Sequence, residues 1–293
     1  MKIIVTGSLG NISKPLATAL VRQGHFVTVV SSQPGRQANI EALGATAAIG
    51  SLEDANFLVA TFAGADAVYA MVPPSYAELD SRAYFQRIGS NYAQAIQQAG
   101  VRRVVQLSSW GAHRDHGTGG ILGSHDVEEI LARLPGLALT HLRPGSFYTN
   151  YYSFAGMIKA AGFMGANCVG DRKIALVHPR DIAAAAAEEL TNPAATAGRT
   201  VRYVASDERT QQEVAHALGA VIGRPDLRWV TLSDEQMREN LLKNNLPAST
   251  VADIVDIYAS MSSGALGEDY EQHKPTLGAV KMEEFAQEFA ASF

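Results

Sequence analysis

Cysteine is almost absent: Cys168 is the one thiol in 293 residues. A lone cysteine excludes an internal disulfide and a cysteine-based zinc site, and it suits a reducing cytoplasm, where the protein is expected to work. It reads as a small buried apolar residue. Long apolar runs are missing too; none reaches the roughly 18 residues of a membrane span. At the N-terminus Lys2 is followed by three apolar residues before Thr6 and Gly7, the pattern of a strand and not of a signal peptide. Positive charge is in deficit, with 24 Lys and Arg against 29 Asp and Glu and a net charge of −5. That balance leaves no basic face for nucleic acid or anionic lipid. His113, Asp115, His116 and His125 crowd one loop, but their irregular spacing carries no metal signature, and no metal is expected.

What is present is alternation. Strand signals at Lys2–Thr6, Phe26–Val30, Thr46–Ile49, Asp66–Val72, Arg103–Leu107 and Leu137–Leu142 are separated by helical spacing. The helices are expected at Ile12–Gln23, Ala38–Leu43, Glu53–Phe62, Leu79–Ala99 and His125–Leu134. Repeated strand–helix units with apolar strands imply a doubly wound parallel α/β sheet covered on both faces. After Arg143 the pattern changes. Asp181–Leu190 reads as a helix with Asp181 as its cap, and Val201–Val204 as a strand. Capping boxes open helices at Thr210 with Glu213 and at Ser233 with Gln236, and Met282–Phe289 is a terminal helix. The expected organisation is a dinucleotide-binding domain over 1–145 and a smaller, mostly helical lobe over 146–293, with an approximate boundary and interleaving allowed.

The first strand runs into Gly7-Ser8-Leu9-Gly10-Asn11-Ile12-Ser13. Gly7 suits a tight turn, and Gly10 lets the backbone approach a pyrophosphate. The following helix then directs its free N–H groups and positive dipole end at that phosphate. Ser13 stands where a third glycine would allow close helix–strand packing. Its position, after the first strand and opening a helix, makes this the loop of a Rossmann dinucleotide site. Thr6, Gly7, Gly10, Asn11 and Ile12 are assigned to it. The second strand ends in Ser31-Ser32-Gln33-Pro34-Gly35-Arg36, with no carboxylate for a ribose 2′-hydroxyl. Ser32 and Arg36 suit a 2′-phosphate, which favours NADP(H), with NAD(H) as the alternative. Ser51 and Leu52, past the third strand, are expected to border the adenine.

Ligands in such sheets lie beyond the carboxyl ends of the strands. Val72 and Pro73 end the fourth strand, Ser108 and Ser109 the fifth, and Pro144 and Phe147 follow the sixth. These should border the nicotinamide. Ser108 or Ser109 would hydrogen-bond a substrate carbonyl; satisfying local backbone is the competing reading. Tyr148, Tyr151, Tyr152 and Phe154 form either a lid over a flat substrate or packing between the lobes, with Phe147 and Tyr148 preferred as cleft residues.

Taken together, VTGSLGNIS, VRRVVQLSSWGA, HDVEEIL, LRPGSFYTN, HPRDIA and PTLGAVKMEEFAQEF resemble the NmrA-like branch of atypical short-chain dehydrogenases/reductases, in matching order over nearly the whole chain. The resemblance implies an NADPH-dependent reductase of quinone-like or other conjugated acceptors. It also admits a non-catalytic dinucleotide sensor, since the family holds both, including quinone oxidoreductases and triphenylmethane reductases. One departure bears on mechanism. Short-chain dehydrogenases use Tyr-x-x-x-Lys, yet no tyrosine or lysine lies between Ser109 and Glu129. His125 stands where the lysine would be and is similar to the histidine of the quinone and dye reductases, which implies that it orients the nicotinamide ribose or donates a proton. The literal match, Tyr270 and Lys274, falls in a polar C-terminal segment and is set aside. A small-molecule acceptor is thus the expected partner, and a homo-oligomer is compatible with the chain.

Overall fold

Apolar strands buried on both faces need helices above and below, and the chain supplies them in turn. The computed structural model describes residues 1–75 and 78–293. The first half runs β1 (Lys2–Val5), α1 (Ser13–Arg22), β2 (Phe26–Ser31), α2 (Gln37–Glu41), β3 (Thr46–Ile49), α3 (Ala55–Phe62) and β4 (Ala67–Ala70). It continues through α4 (Ser81–Ala99), β5 (Arg103–Leu107), α5 (Ile121–Ala132) and β6 (Ala138–Pro144). Next come β7 (Ser146–Phe147), α6 (Ala155–Ala161), β8 (Met164–Ala166), β9 (Lys173–Val177), α7 (Pro179–Thr191) and β10 (Gly198–Val204). The chain closes with β11 (Asp207–Thr210), α8 (Gln211–Val221), β12 (Trp229–Thr231), α9 (Asp234–Lys243), α10 (Ala248–Ser263), α11 (Glu268–Gln272) and α12 (Met282–Ser292).

Seven parallel strands form the main sheet in the order β10-β6-β5-β4-β1-β2-β3. The strand order reverses between β1 and β4, which opens a crevice at their carboxyl ends. One face packs Ile3, Val5, Val29 and Leu142 against Leu16 of α1 and the alanine-rich α7. The other packs Ile4, Val30, Val104 and Leu139 against Phe62, Tyr92 and Val127. The second half does not stay in the covering lobe: β10 is a full strand of the sheet, in register with β6 from Gly198↔Ala138 to Val204↔Pro144. Apart from β10 and α7, which covers one face of the sheet, most of the second half forms a separate core around Tyr148, Trp229, Phe285 and Phe289. Among the described residues no helix is long and apolar enough to cross a membrane.

Both capping boxes, Thr210 with Glu213 and Ser233 with Gln236, are closed in both directions. Three expectations change. Helix α5 begins at Ile121, four residues before His125. Gly123 lies inside this helix, where a Cβ would stand 2.6 Å from Phe85 of α4, so the glycine serves close helix packing. Asp181 does not cap α7. Pro179 takes the first helical position and His178 Nδ1 accepts the Arg180 N–H at 3.0 Å. The Asp181 carboxylate instead accepts from Ser206 Oγ (2.5 Å) and the Val280 N–H (3.1 Å), tying the tail to the sheet. Tyr148, Tyr151 and Phe154 are buried in the second core, so they pack the lobe and form no lid; Tyr152 stacks on Phe289 at its surface.

Candidate active site

Two features meet along the carboxyl edge of the sheet. The first is the turn from β1 to α1. Gly7 has φ +90°, where a side chain is strained, and a Cβ there would stand 2.6 Å from Ser13 Oγ. That hydroxyl is buried and donates to Thr6 O at 2.7 Å, which is how serine replaces the third glycine without loss of close packing. Thr6 is locked across the crevice, donating to Tyr69 O (3.1 Å) and accepting the Met71 N–H (2.9 Å). No side chain caps α1, and the N–H groups of Asn11, Ile12 and Ser13 meet no acceptor among the described residues. Gly10 is exposed above them; a Cβ would close to 3.1 Å of Gly7 O and crowd the approach. Three free N–H groups at a positive helix end fit a pyrophosphate. Ile12 contributes through its backbone alone, since its side chain is in the core.

At the end of β2, Ser32 and Arg36 are exposed, and Arg36 Nε donates to Gln33 Oε1 at 3.3 Å, leaving its other nitrogens free. Ser31 joins this corner: Ser8 Oγ donates to Ser31 Oγ at 2.9 Å, linking the β1–α1 turn to the end of the strand that leads into Arg36. These donors fit a 2′-phosphate. Ser51 Oγ accepts the Glu53 N–H at 3.1 Å, and Leu52 O accepts from Asn91 Nδ2 at 3.0 Å, which fixes the turn after β3. Val72 and Pro73 are half-buried past β4, where Tyr92 donates to Met71 O at 2.6 Å.

The second feature lies past β5 and β6. Backbone bonds from Ser108 N–H to Leu142 O (2.8 Å) and from Trp110 N–H to Pro144 O (2.9 Å) hold the two strand ends together. Beside them a cleft of about 240 Å³ is lined by Ser109, Pro144, Phe147 and Asn150, and by Ile257, Met261 and Leu266 from the second lobe. Ser109 is half-buried, its Oγ donating to Trp110 O at 3.1 Å. Ser108 is not in the cleft. It is buried, and its hydroxyl donates to Glu128 Oε1 at 2.5 Å. His125 is also outside the cleft lining. It sits in the second turn of α5, with Nδ1 on Ala112 O at 2.9 Å, so it braces the turn that carries Trp110. Tyr270 and Lys274 share Glu208, at 2.9 and 3.1 Å, in the second lobe.

Sequence reasoning missed the group that holds these strand ends. Glu128 is fully buried, and Arg143 grips it through Nε (2.9 Å) and Nη2 (2.7 Å), with Arg199 Nη2 at 2.8 Å. Arg143 Nη1 reaches on to Asp269 at 3.0 Å, which also accepts from Tyr203 at 2.5 Å. Burial pushes the Glu128 carboxyl up, but the Arg143 hydrogen bond and the nearby charges outweigh it and hold the group below the usual carboxylate range. The signal was present: Glu128 lies one and three residues from Val127 and Leu131 on the apolar face of its helix, and Arg143 ends an apolar strand. Opposite charges inside two apolar patterns predict each other.

The family model for the NmrA-like family matches residues 1–286. The chain belongs to the NmrA-like family. It is 29% identical over 245 residues to the (4-alkanoyl-5-oxo-2,5-dihydrofuran-3-yl)methyl phosphate reductase of Streptomyces griseus subsp. griseus, covering 84% of this chain and 82% of that one. It is 26% identical over 297 residues to the NAD(P)H azoreductase of Xenophilus azovorans, covering 99% of each. The fold matches that of an NADPH-dependent quinone oxidoreductase from Escherichia coli, solved with NADPH, at a TM-score of 0.82, with 22% identity and 98% and 99% coverage.

Proposed function

We infer that this protein is an NADPH-dependent oxidoreductase that reduces a quinone-like or other conjugated acceptor in the cleft beside Ser109 and Phe147. The observation that carries the reading is the placement of three free N–H groups of α1 and an apolar cleft along one sheet edge, flanking the β1/β4 crevice. The relatives support it: two are named as reductases, one using NAD(P)H, and the solved structure holds NADPH. The N–H groups of Asn11, Ile12 and Ser13 hold the pyrophosphate. Ser32 and Arg36, with Ser8 and Ser31 behind them, hold the 2′-phosphate. Val72, Pro73, Pro144 and Phe147 border the nicotinamide.

When bound, NADPH supplies a hydride, and the acceptor needs one further proton to complete a two-electron reduction. Among the described residues the cleft offers no carboxylic acid, imidazole or lysine; its polar side-chain groups are the Ser109 and Ser146 hydroxyls, the Asn150 amide and the Trp110 indole N–H. These groups orient a carbonyl by hydrogen bonding, and the proton comes from water. Such a site suits an acceptor whose reduced form is stable as an anion, such as a hydroquinone, better than a simple ketone. The apolar wall of Ile257, Met261 and Leu266 holds a flat ring and excludes bulk water. The test is oxidation of NADPH, followed by its absorbance, against a panel of quinones and azo and triphenylmethane dyes. Turnover with at least one acceptor is expected. Tight NADPH binding without turnover would replace the enzyme with a dinucleotide-responsive regulator.

A further inference from the structure

A second cavity of about 480 Å³ lies behind the acceptor cleft. The two share Trp110 and Met261. Their backbones touch as well: a Cβ on Gly145, in the cleft, would lie 2.6 Å from the carbonyl of Ala175, in the second cavity. The floor is apolar and buried, made of Trp110, Ile174, Ala175 and Met261. The rim is charged, and its pairings decide what is left over. Lys274 is taken by Glu208 (2.9 Å) and Glu271 (3.2 Å), and Glu268 by Arg114 (2.7 Å). Arg172 and Lys173 meet no carboxylate within 4 Å among the described residues; Arg172 spends only its Nε, on Ser262 O at 3.0 Å. Over the lining three cations balance three carboxylates, but each carboxylate already has a cation within reach, so Arg172 and Lys173 are the charges left free to meet an anion. The buried indole N–H of Trp110, in the shared wall, also has no acceptor among the described residues.

Size points the same way. The first cleft falls below the ~300–1,000 Å³ common for ligand pockets, whereas the two cavities together fall inside that range. We propose that the second cavity is a subsite for an anionic extension of the acceptor, held by Arg172 and Lys173. The substrate class is then a flat conjugated acceptor bearing a carboxylate, sulfonate or phosphate. This rests on the reductase reading above.

The probes are anthraquinone-2-sulfonate and its neutral analogue 2-(hydroxymethyl)anthraquinone, compared by kcat/KM with NADPH in the wild type and in the Arg172→Gln/Lys173→Gln double variant. Charge-assisted hydrogen bonds at a rim exposed to salt should favour the sulfonate by about tenfold at low ionic strength. The preference should fall to about one in the variant, and in the wild type at high salt. Equal kcat/KM for both probes in the wild type, or a preference that survives the double substitution, overturns the subsite and leaves the reductase reading standing. If neither probe is reduced, that reading is what fails for these quinones. Calorimetric titration of anthraquinone-2-sulfonate into the protein with NADP⁺ then decides the subsite. Binding weakened about tenfold by the substitutions supports it, and absent or unchanged binding overturns it.

Discussion

In the proposed site the part around the β1–α1 turn is made of backbone, and the part around β5 and β6 is made of side chains, several of which come from far along the chain. The phosphate corner uses the N–H groups of Asn11 to Ser13, within a few residues of one turn. The acceptor corner uses Ser109 and Phe147 from the sheet but Ile257, Met261 and Leu266 from α10 and the turn after it. Backbone geometry is tied to glycine and to local order, so changing it alters the fold as well as the ligand. Side chains on a covering lobe can be exchanged with little effect on the strands beneath. That difference lets one phosphate corner serve reductases of different acceptors, consistent with a shared fold and relatives of different named activity.

The largest effect is expected at the joint that holds the β5 and β6 ends together. Glu128→Ala strips the buried Arg143 of its bidentate partner, leaving only Asp269 and Tyr203 on one nitrogen, and should cost about 3–5 kcal/mol in denaturant unfolding. If the loss is under about 1 kcal/mol, the strand ends are held by the backbone alone and the joint is not an ionic one.

Beside it, His141 is buried with Nδ1 on Gln106 Oε1, and burial lowers its pKa to about 4. The folded state thus prefers neutral imidazole, and that stability is complete above pH 6.5 and is lost as pH falls toward 4. The full loss is about 3 kcal/mol. Urea unfolding across that window should show the decline, and His141→Gln should flatten it. An unchanged slope in the variant assigns the acid sensitivity to other groups.

At the phosphate corner, Arg36→Ala removes a charged donor from an exposed position. It should weaken NADPH binding about tenfold, near the lower end of the ~1.5–3 kcal/mol of such bonds, and leave NADH binding nearly unchanged. Equal losses for both cofactors would remove Arg36 from the 2′-phosphate.

What could be read in the sequence follows the same division. The alternating strands, the Gly7–Ser13 turn and both capping boxes depend on neighbours a few residues apart, and all were visible. The second lobe's share of the cleft was not, because Ile257 and Met261 face Ser109 only after the chain has folded back across about half its length. His125 and Ser108 were placed by proximity to the strand ends. Sequence distance could not show that Ala112 O takes His125 Nδ1 and Glu128 takes the Ser108 hydroxyl. The start of α5 was expected four residues late, at His125, for a related reason: Gly123, required by Phe85 across a helix pair, looks the same in sequence as a glycine that precedes a helix.

The division of labour is itself the central claim, and one kinetic experiment tests it. Gly10→Val crowds the phosphate approach without requiring a left-handed backbone, and Ile257→Asp places a charge in the apolar acceptor wall. With an acceptor found by the panel, KM for NADPH should rise at least about tenfold in Gly10→Val, while KM for the acceptor stays within about twofold. Ile257→Asp should show the reverse pattern, through the cost of desolvating a carboxylate beside the ring. If each variant raises both constants alike, the two corners are one site and the account is wrong.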